Sequence, residues 1–288
     1  MNTENDKWKL LRLEYNKELN DVLLQQHHAA QFIALAGRYL IPQQADDSNT
    51  NMHYDLDRKM LVGNELTDGL RLSLQITDPM ICVLNDRFDC VCKISLEGKT
   101  KHKVFIELND ALAGSGIDVS GFKNELHYEI PEHPLDKGAI FSENNPQYVQ
   151  EIAYYRQNAE IVLNEIVKAN ELANQLKVWP HHFDTGTFIP FTHNEKGGVA
   201  QSIGIGWAIP DGMVKEPYYY LSFWPDKPDE GLKNMTALSA GQWMIPAWNG
   251  AVLKHSEILK EKSPEKQHKV VESFFKTGIS VLSEYFKK

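Results

Sequence analysis

The sequence predicts an α+β protein in which antiparallel β-sheets pack against long helices. Three long segments repeat apolar residues at every third or fourth position, which is the spacing of one helix face. Between them lie short runs of alternating apolar and polar residues, the period of a strand with one buried face. The order of long helix, strands and helix occurs twice, which suggests two similar halves. We therefore expect domains at 1–140 and 141–288, unless both halves form one compact unit.

The first helix is predicted over residues 6–40. A series of apolar and small residues that begins at Trp8 keeps steps of three and four as far as Leu40. Gly37 near the end and Pro42 beyond it are residues that commonly terminate a helix.

Two further helices are predicted over residues 146–176 and 263–286. Pro146 suits the first helical position, because its missing N–H would have no partner there. Ser263 followed by Pro264 gives the third helix an N-cap and a first residue. Both segments then show the apolar spacing of a helix face.

Strands are predicted from short alternating or apolar runs bounded by turn residues. In the N-terminal half the predicted strands are 70–76, 81–84, 89–96, 103–108 and 125–131, with a hairpin turn at Leu96-Glu-Gly-Lys99. In the C-terminal half they are 183–191, 201–209, 218–223 and a segment around 242–253.

Composition excludes several classes of protein. The chain of 288 residues has 42% hydrophobic and 24% charged residues, which is typical of a globular protein. Its net charge of −9 argues against nucleic acid or an anionic membrane as the main partner, because both require a basic surface. Cys82, Cys90 and Cys92 are odd in number and clustered, so we expect no disulfide framework. The N-terminus resembles no secretory signal, and we expect a cytoplasmic protein.

The most informative segment is Trp179-Pro-His-His-Phe-Asp184, directly after the second predicted helix. It places two histidines and an aspartate among aromatic residues. Burying such polar groups without partners costs about 1–3 kcal/mol each, so the segment requires either a binding site or a satisfied structural network.

A neighbouring strand has one face made only of small residues. In the 201–209 strand, Ser202, Gly204, Gly206 and Ala208 alternate with large apolar residues. Glycine in a strand marks a position where another group approaches closely. That group could be a ligand, or it could be the rings of Tyr218, Tyr220 and Trp224 on the next strand, and we favour cover by the rings.

The titratable residues of this region do not form a recognisable metal or catalytic motif. In an extended segment His181 and His182 would face opposite sides, whereas His182 and Asp184 would share one. A metal site needs three or four ligands, and no further histidine or acid has a diagnostic spacing. We therefore assign no metal or other cofactor, although a divalent metal remains an alternative. A His182–Asp184 acid–base pair is also conceivable, but no nucleophile accompanies it.

The order of several motifs resembles an uncharacterised family of bacterial hypothetical proteins, described as a domain of unknown function. The matching motifs are Trp179-Pro-His-His-Phe-Asp184, Ser202-Ile-Gly-Ile-Gly206, Glu216-Pro-Tyr-Tyr-Tyr220, Trp224-Pro225, Trp243 and Trp248-Asn-Gly-Ala-Val-Leu253. The resemblance covers residues 179–253 and implies a shared site in the C-terminal half, without implying a reaction. Trp207 stands where the family has a smaller residue.

Three hypotheses about function follow from these motifs. The first is a small-molecule binding protein with a pocket in the C-terminal half. The second is a metal-assisted or acid–base hydrolase that uses His182 and Asp184. The third is a structural or interaction module in which the motif only holds the fold together. The expected ligand-binding residues are Trp179, His181, His182, Asp184, Trp207, Tyr220 and Trp224.

Overall fold

The structure, a computed structural model, describes residues 7–170, 173–224 and 235–287. Its helices and antiparallel strands confirm the predicted α+β class. The helices are α1 (Lys17–Leu40), α2 (Lys101–Gly114), α3 (Pro146–Ala169), α4 (His255–Ile258) and α5 (Pro264–Phe286). The strands are β1 (Met52–Asp55), β2 (Met60–Gly63), β3 (Arg71–Gln75), β4 (Met80–Leu84), β5 (Cys90–Ser95), β6 (Lys177–Trp179), β7 (Asp184–His193), β8 (Val199–Ala208), β9 (Tyr218–Trp224), β10 (Gln242–Trp243) and β11 (Gly250–Lys254). No described helix is both long enough and apolar enough to cross a membrane.

Contacts divide the chain into two compact units, which are not contiguous in sequence. The N-terminal unit comprises Asn16–Ala153 and Lys177–Phe183. The C-terminal unit comprises Met1–Tyr15, Tyr154–Leu176 and Asp184–Lys288. The expected domains 1–140 and 141–288 therefore differ from the observed units, because short segments from each side of the expected boundary join the other unit.

The N-terminal unit contains the strand order β6-β1-β2-β3-β4-β5, with antiparallel neighbours. Helix α1 lies against this sheet so closely that a Cβ on Gly63 would be 2.5 Å from Ile33 Cγ2. Asn16 caps the helix by accepting a hydrogen bond from the Leu19 N–H at 2.9 Å. The mostly buried helix α1 therefore covers the sheet of this unit.

Two strand predictions for the N-terminal unit are wrong, and one hairpin was not predicted. Residues 103–108 belong to α2, where Thr100 is the N-cap and Val104, Leu108 and Leu112 are buried at a spacing of four. Residues 125–131 form no strand, and the β1–β2 hairpin has no predicted counterpart. The 103–108 segment resembles a strand in sequence because β-branched and aromatic residues are concentrated at Val104, Phe105 and Ile106.

Two predicted helices are shorter than expected. Helix α1 begins at Lys17. Residues 7–15, which the prediction included in this helix, belong to the C-terminal unit and form neither helix nor strand. Helix α3 ends at Ala169, and part of its predicted extension to 176 lies outside the described residues. Helix α5 has the predicted bounds, and Ser263 accepts a hydrogen bond from the Lys266 N–H as its N-cap.

The C-terminal unit contains the strand order β10-β11-β9-β8-β7, again with antiparallel neighbours. One face of this sheet packs on α5. The Phe275 and Tyr219 rings make an edge-to-face contact, with 5.8 Å between their centroids. Gly278 has no side chain, which leaves space for the Leu221 side chain. The helix therefore covers the face that carries the large apolar residues of β8 and β9, and the opposite face carries the glycines of β8.

Candidate functional site

The Trp179–Asp184 motif begins with a turn that is tied to α1. The carbonyl of Pro180 accepts hydrogen bonds from His27 Nε2 at 2.9 Å and from Gln31 Nε2 at 3.0 Å. Phe183 has a positive φ of 53° and stacks on the His27 ring at 5.1 Å with nearly parallel planes. His27 and Gln31 are both fully or almost fully buried. The turn is therefore held by a buried hydrogen-bonded network.

The two histidines of the motif lie at the edge of this network. The half-buried His181 ring makes edge contacts with Trp179 at 6.2 Å and Tyr128 at 5.8 Å. Tyr128 in turn donates a hydrogen bond to Gln31 Oε1 at 2.7 Å. His182 is exposed and touches the His181 ring. Trp179 and His181 thus lie against groups of the N-terminal unit that already have partners.

Asp184 begins β7 and belongs to the C-terminal unit. It is buried, and its Oδ2 accepts a hydrogen bond from the Tyr220 hydroxyl at 2.6 Å. Burial first, and the Asp184 carboxylate second, raise the pKa of Tyr220 well above its usual value. The positive φ of Phe183 interrupts the strand alternation that would place His182 and Asp184 on one face. Among the described residues, no group of three or more His, Cys, Asp or Glu side chains is placed to hold a metal ion.

Tyr220 covers two of the glycines on the small-residue face of the sheet. It pairs with Gly206 across β8 and β9, and a Cβ on Gly206 would overlap the Tyr220 ring. A Cβ on Gly186 would lie 2.5 Å from the Tyr220 hydroxyl. The prediction that rings cover these glycines is therefore confirmed at Tyr220.

Trp207 lies on the opposite face and is only 2% exposed. The guanidinium of Arg156 lies over its ring at 4.8 Å, and the Tyr155 ring is 5.7 Å away. Arg156 is itself fully buried and donates a hydrogen bond to Thr185 Oγ1 at 3.0 Å. Trp207 is therefore part of the core of the C-terminal unit.

Trp224 has a different environment from the other expected ligand-binding residues. It is 54% exposed and borders a shallow cavity of about 540 Å³ on the small-residue face. We call this cavity the aromatic groove. Its lining residues are Phe188, Ser202, Gly204, Ser222, Phe223, Trp224, Trp248 and Asn249.

The groove results from one row of register partners across four strands. Phe188 pairs with Gly204, Gly204 with Ser222, and Ser222 with Gly250. The central members have little or no side chain, so the row is open between Phe188 and the Trp248 ring, which covers Gly250. A Cβ on Gly204 would overlap Ser222 Oγ, so glycine at this position makes room for the Ser222 hydroxyl. The neighbouring row, with Ser202 opposite Trp224, forms another side of the groove.

The chemistry of the aromatic groove is neutral and amphipathic. None of its described lining residues carries a charge. Phe188, which is 37% exposed, and Trp224 offer aromatic surface. The hydroxyls of Ser202 and Ser222 form no hydrogen bond within the described part of the chain. The groove can therefore accept a ligand that has both apolar ring faces and hydrogen-bonding groups.

A larger cleft of about 670 Å³ in the same unit is less suited to a ligand. Its wall is charged, but many of those groups already have partners. Lys215 donates to the Asp211 carbonyl at 3.0 Å, and Glu216 accepts from the Ser256 N–H at 2.7 Å and from its hydroxyl. The polar groups of this cleft therefore hold its loops together.

The sequence indicates only part of the aromatic groove. Trp224 is an expected ligand-binding residue, and the small face with Ser202 and Gly204 is evident in the sequence. Phe188, Ser222 and Trp248 were missed as groove residues, because only the strand register brings them to one place. In a regular hairpin, counting residues back from the turn would predict the pairing of Phe188 with Gly204. Two shifts of register between β7 and β8 make such a count wrong here.

No protein-family model matches the chain, and no significant similarity was found to a curated protein or to a solved structure. The resemblance of residues 179–253 to an uncharacterised family therefore stays a prediction.

Proposed function

We propose that the protein binds a small neutral carbohydrate in the aromatic groove. The observation that carries this proposal is the exposed Trp224 ring beside the Ser222 hydroxyl, which forms no hydrogen bond within the described residues, on a floor made of the small residues Gly204 and Ser222. A sugar ring has an apolar face of C–H groups, which packs on an aromatic ring, and hydroxyls at its rim, which need hydrogen-bond partners. The groove offers both kinds of contact side by side.

The dimensions and charge of the groove support a carbohydrate over other ligand classes. Its volume of about 540 Å³ lies within the range of small-molecule sites. A phosphorylated or strongly acidic ligand would need basic side chains, and none of the described residues that line the groove is basic. A purely apolar ligand would leave the two serine hydroxyls without partners, which costs free energy.

We do not propose a hydrolase function. The Asp184 carboxylate accepts the Tyr220 hydroxyl in the C-terminal unit, and His182 is an exposed residue of a turn in the N-terminal unit. The contacts of Pro180 and Phe183 with His27 support a structural role for the motif instead. That role accompanies a binding function and does not compete with it.

Calorimetric titration tests the proposal with glucose, galactose, N-acetylglucosamine and their β-linked disaccharides as probes. We expect one of these sugars to bind with a Kd of about 0.1–5 mM, and Trp224→Ala to weaken binding at least about tenfold. Ser222→Ala should weaken it by about fivefold. Met213→Ala is the matched control, because Met213 is an exposed apolar residue of the same unit outside the groove. The proposal fails if no probe binds, or if Trp224→Ala and Met213→Ala bind equally well.

A cytoplasmic location is a second part of the proposal. The structure has Cys82, Cys90 and Cys92 as free thiols, although Cys90 and Cys92 lie close together on one strand. Free thiols are typical of a reducing compartment. Thiol alkylation in intact cells followed by mass measurement should modify Cys90, and an oxidised Cys90 would contradict this location.

A further inference from the structure

A second cavity lies entirely within the N-terminal unit and has a different chemistry. It is a cleft of about 320 Å³ between α1, the ends of β3 and β5, and the start of α3. We call it the acidic cleft. It has an apolar wall that includes Ala29, Phe141 and Val149. Most of the other lining residues are polar or acidic.

The charge of the acidic cleft has a single sign. Asp78, Glu97 and Glu143 line it, and none of its described lining residues is Lys, Arg or His. None of the three carboxylates forms an ion pair within the described residues. Three ionised carboxylates around one cleft repel one another and attract a cation.

An amide group in the wall of the cleft points independently to a ligand. Gln26 is only 2% exposed, and its Nε2 donates a hydrogen bond to the Ile76 carbonyl at 3.2 Å. Its Oε1 is buried and has no hydrogen-bond partner within the described residues. Such an atom costs about 1–3 kcal/mol when it is left unsatisfied.

Gln25, the neighbouring glutamine on α1, has hydrogen-bond partners for both its amide oxygen and its amide nitrogen. Gln25 also lines the cleft, but its Nε2 donates to Asp21, Ser142 and Asn144, and its Oε1 accepts from the Ser142 N–H. Gln25 therefore fixes the loop at Ser142, whereas the buried Gln26 amide oxygen has no hydrogen-bond partner within the described residues.

The arrangement of the carboxylates argues for an organic cation over a metal ion. Among the residues that the structure describes, no three acidic, His or Cys side chains are close enough together to hold a metal. An organic amine distributes its N–H donors along a chain, so it can serve separated carboxylates and the Gln26 amide oxygen together. Its methylene groups match the apolar wall.

We infer that the acidic cleft binds a linear aliphatic amine with at least two ammonium groups. Two positive charges offset most of the repulsion among the three carboxylates, which a single charge would not. One ammonium group donates to Gln26 Oε1 once the Gln26 side chain turns toward the cleft. This site is separate from the aromatic groove, and the inference does not depend on the proposed carbohydrate function.

Calorimetric titration of the full chain with spermidine tests this inference. We expect one molecule to bind per chain, with a Kd below about 1 mM at low salt that rises with ionic strength. The neutral analogue 1,4-butanediol should not bind. The double variant Glu97→Gln/Glu143→Gln should weaken spermidine binding at least about tenfold, because two of the three charges are removed.

Two further variants separate a built site from general attraction to an acidic protein. Glu129→Gln removes an exposed carboxylate of the same unit outside the cleft, and it should leave binding unchanged. Gln26→Leu should weaken binding at least about threefold while the protein remains folded, as circular dichroism can verify. Absence of spermidine binding overturns the inference. Equal losses of spermidine affinity in Glu129→Gln and the double variant overturn it as well. Wild-type affinity in Gln26→Leu has the same consequence.

Discussion

The side chain of Gln267 holds both backbone groups of Leu11. Its Oε1 accepts a hydrogen bond from the Leu11 N–H at 2.9 Å, and its Nε2 donates to the Leu11 carbonyl at 2.9 Å. Asn158 does the same at Lys9, with both bonds at 2.7 Å. Gln267 and Asn158 are fully buried. Two side-chain amides thus replace the neighbouring strand that this N-terminal segment lacks within the described structure.

We expect Gln267→Leu to destabilise the protein by about 2–4 kcal/mol. The substitution leaves the N–H and the carbonyl of the buried Leu11 without partners, and each unsatisfied group costs about 1–3 kcal/mol. Urea unfolding measures the difference in the free energy of unfolding. Gln242→Leu, at an exposed position of the same unit, is the control and should change it by less than about 0.5 kcal/mol. Similar losses in both variants would show that the amide pairing contributes nothing specific.

The histidines around the Trp179–Asp184 motif should differ in their effect on stability. His27→Ala removes a buried donor to the Pro180 carbonyl and a ring stacked on Phe183, and we expect a loss of about 2–4 kcal/mol. His182→Ala changes an exposed side chain, and we expect less than about 0.5 kcal/mol. Thermal unfolding of the two variants makes the comparison. A larger loss for His182→Ala would contradict the assignment of the structural role to His27.

His28 should make stability depend on pH between about 6.5 and 4. It is fully buried, donates from Nε2 to the Pro131 carbonyl at 3.0 Å, and its Nδ1 lies 3.3 Å from Lys101 Nζ. Burial first, and the Lys101 charge second, lower its pKa to about 4, while Asp136 acts in the opposite direction. As the pH falls through 6.5 the unfolded chain binds a proton at this residue and the folded chain does not, so stability decreases until the folded-state pKa is reached.

The expected loss from His28 is at most about 3 kcal/mol between pH 7.5 and pH 4. Urea unfolding at several pH values should show this slope in the wild type and a smaller slope in His28→Gln. Glutamine keeps a donor for Pro131 but does not titrate. His53 and His255 also have lowered pKa values from burial, so the difference between the two proteins is the quantity to compare. Identical pH profiles would show that His28 does not titrate in this way.

The glycines of the small-residue face should respond differently to substitution by alanine. At Gly206 a Cβ would overlap the Tyr220 ring, which the bond to Asp184 holds in place, so we expect a loss of about 1–3 kcal/mol. At Gly204 a Cβ would meet the hydroxyl of Ser222, which can rotate, so we expect less than about 1 kcal/mol. Thermal unfolding ranks the two variants, and an equal or larger loss at Gly204 would contradict this order. Gly204→Ala should nevertheless reduce ligand binding, because it displaces the Ser222 hydroxyl in the aromatic groove.

Elements whose signals are local are predictable from the amino-acid sequence alone. Helix α5 follows from Ser263, Pro264 and a repeated apolar spacing, and β8 follows from strict alternation between small and large residues. The covering of the glycines by a ring was also predictable, because β9 follows β8 and brings Tyr220 onto the same face. These features depend on neighbours in sequence or on one hairpin.

Features that depend on distant partners follow from the folded arrangement and not from the local sequence. Residues 7–15 have a helical spacing, but Asn158 and Gln267 provide hydrogen bonds that compete with a helix there. The row from Phe188 to Gly250 opens the aromatic groove only when four strands are in register. The orientation of the Gln26 amide depends on Ile76, which is 50 residues away. Local periodicity records which face of an element is buried, but it contains no information about which distant group will occupy that face.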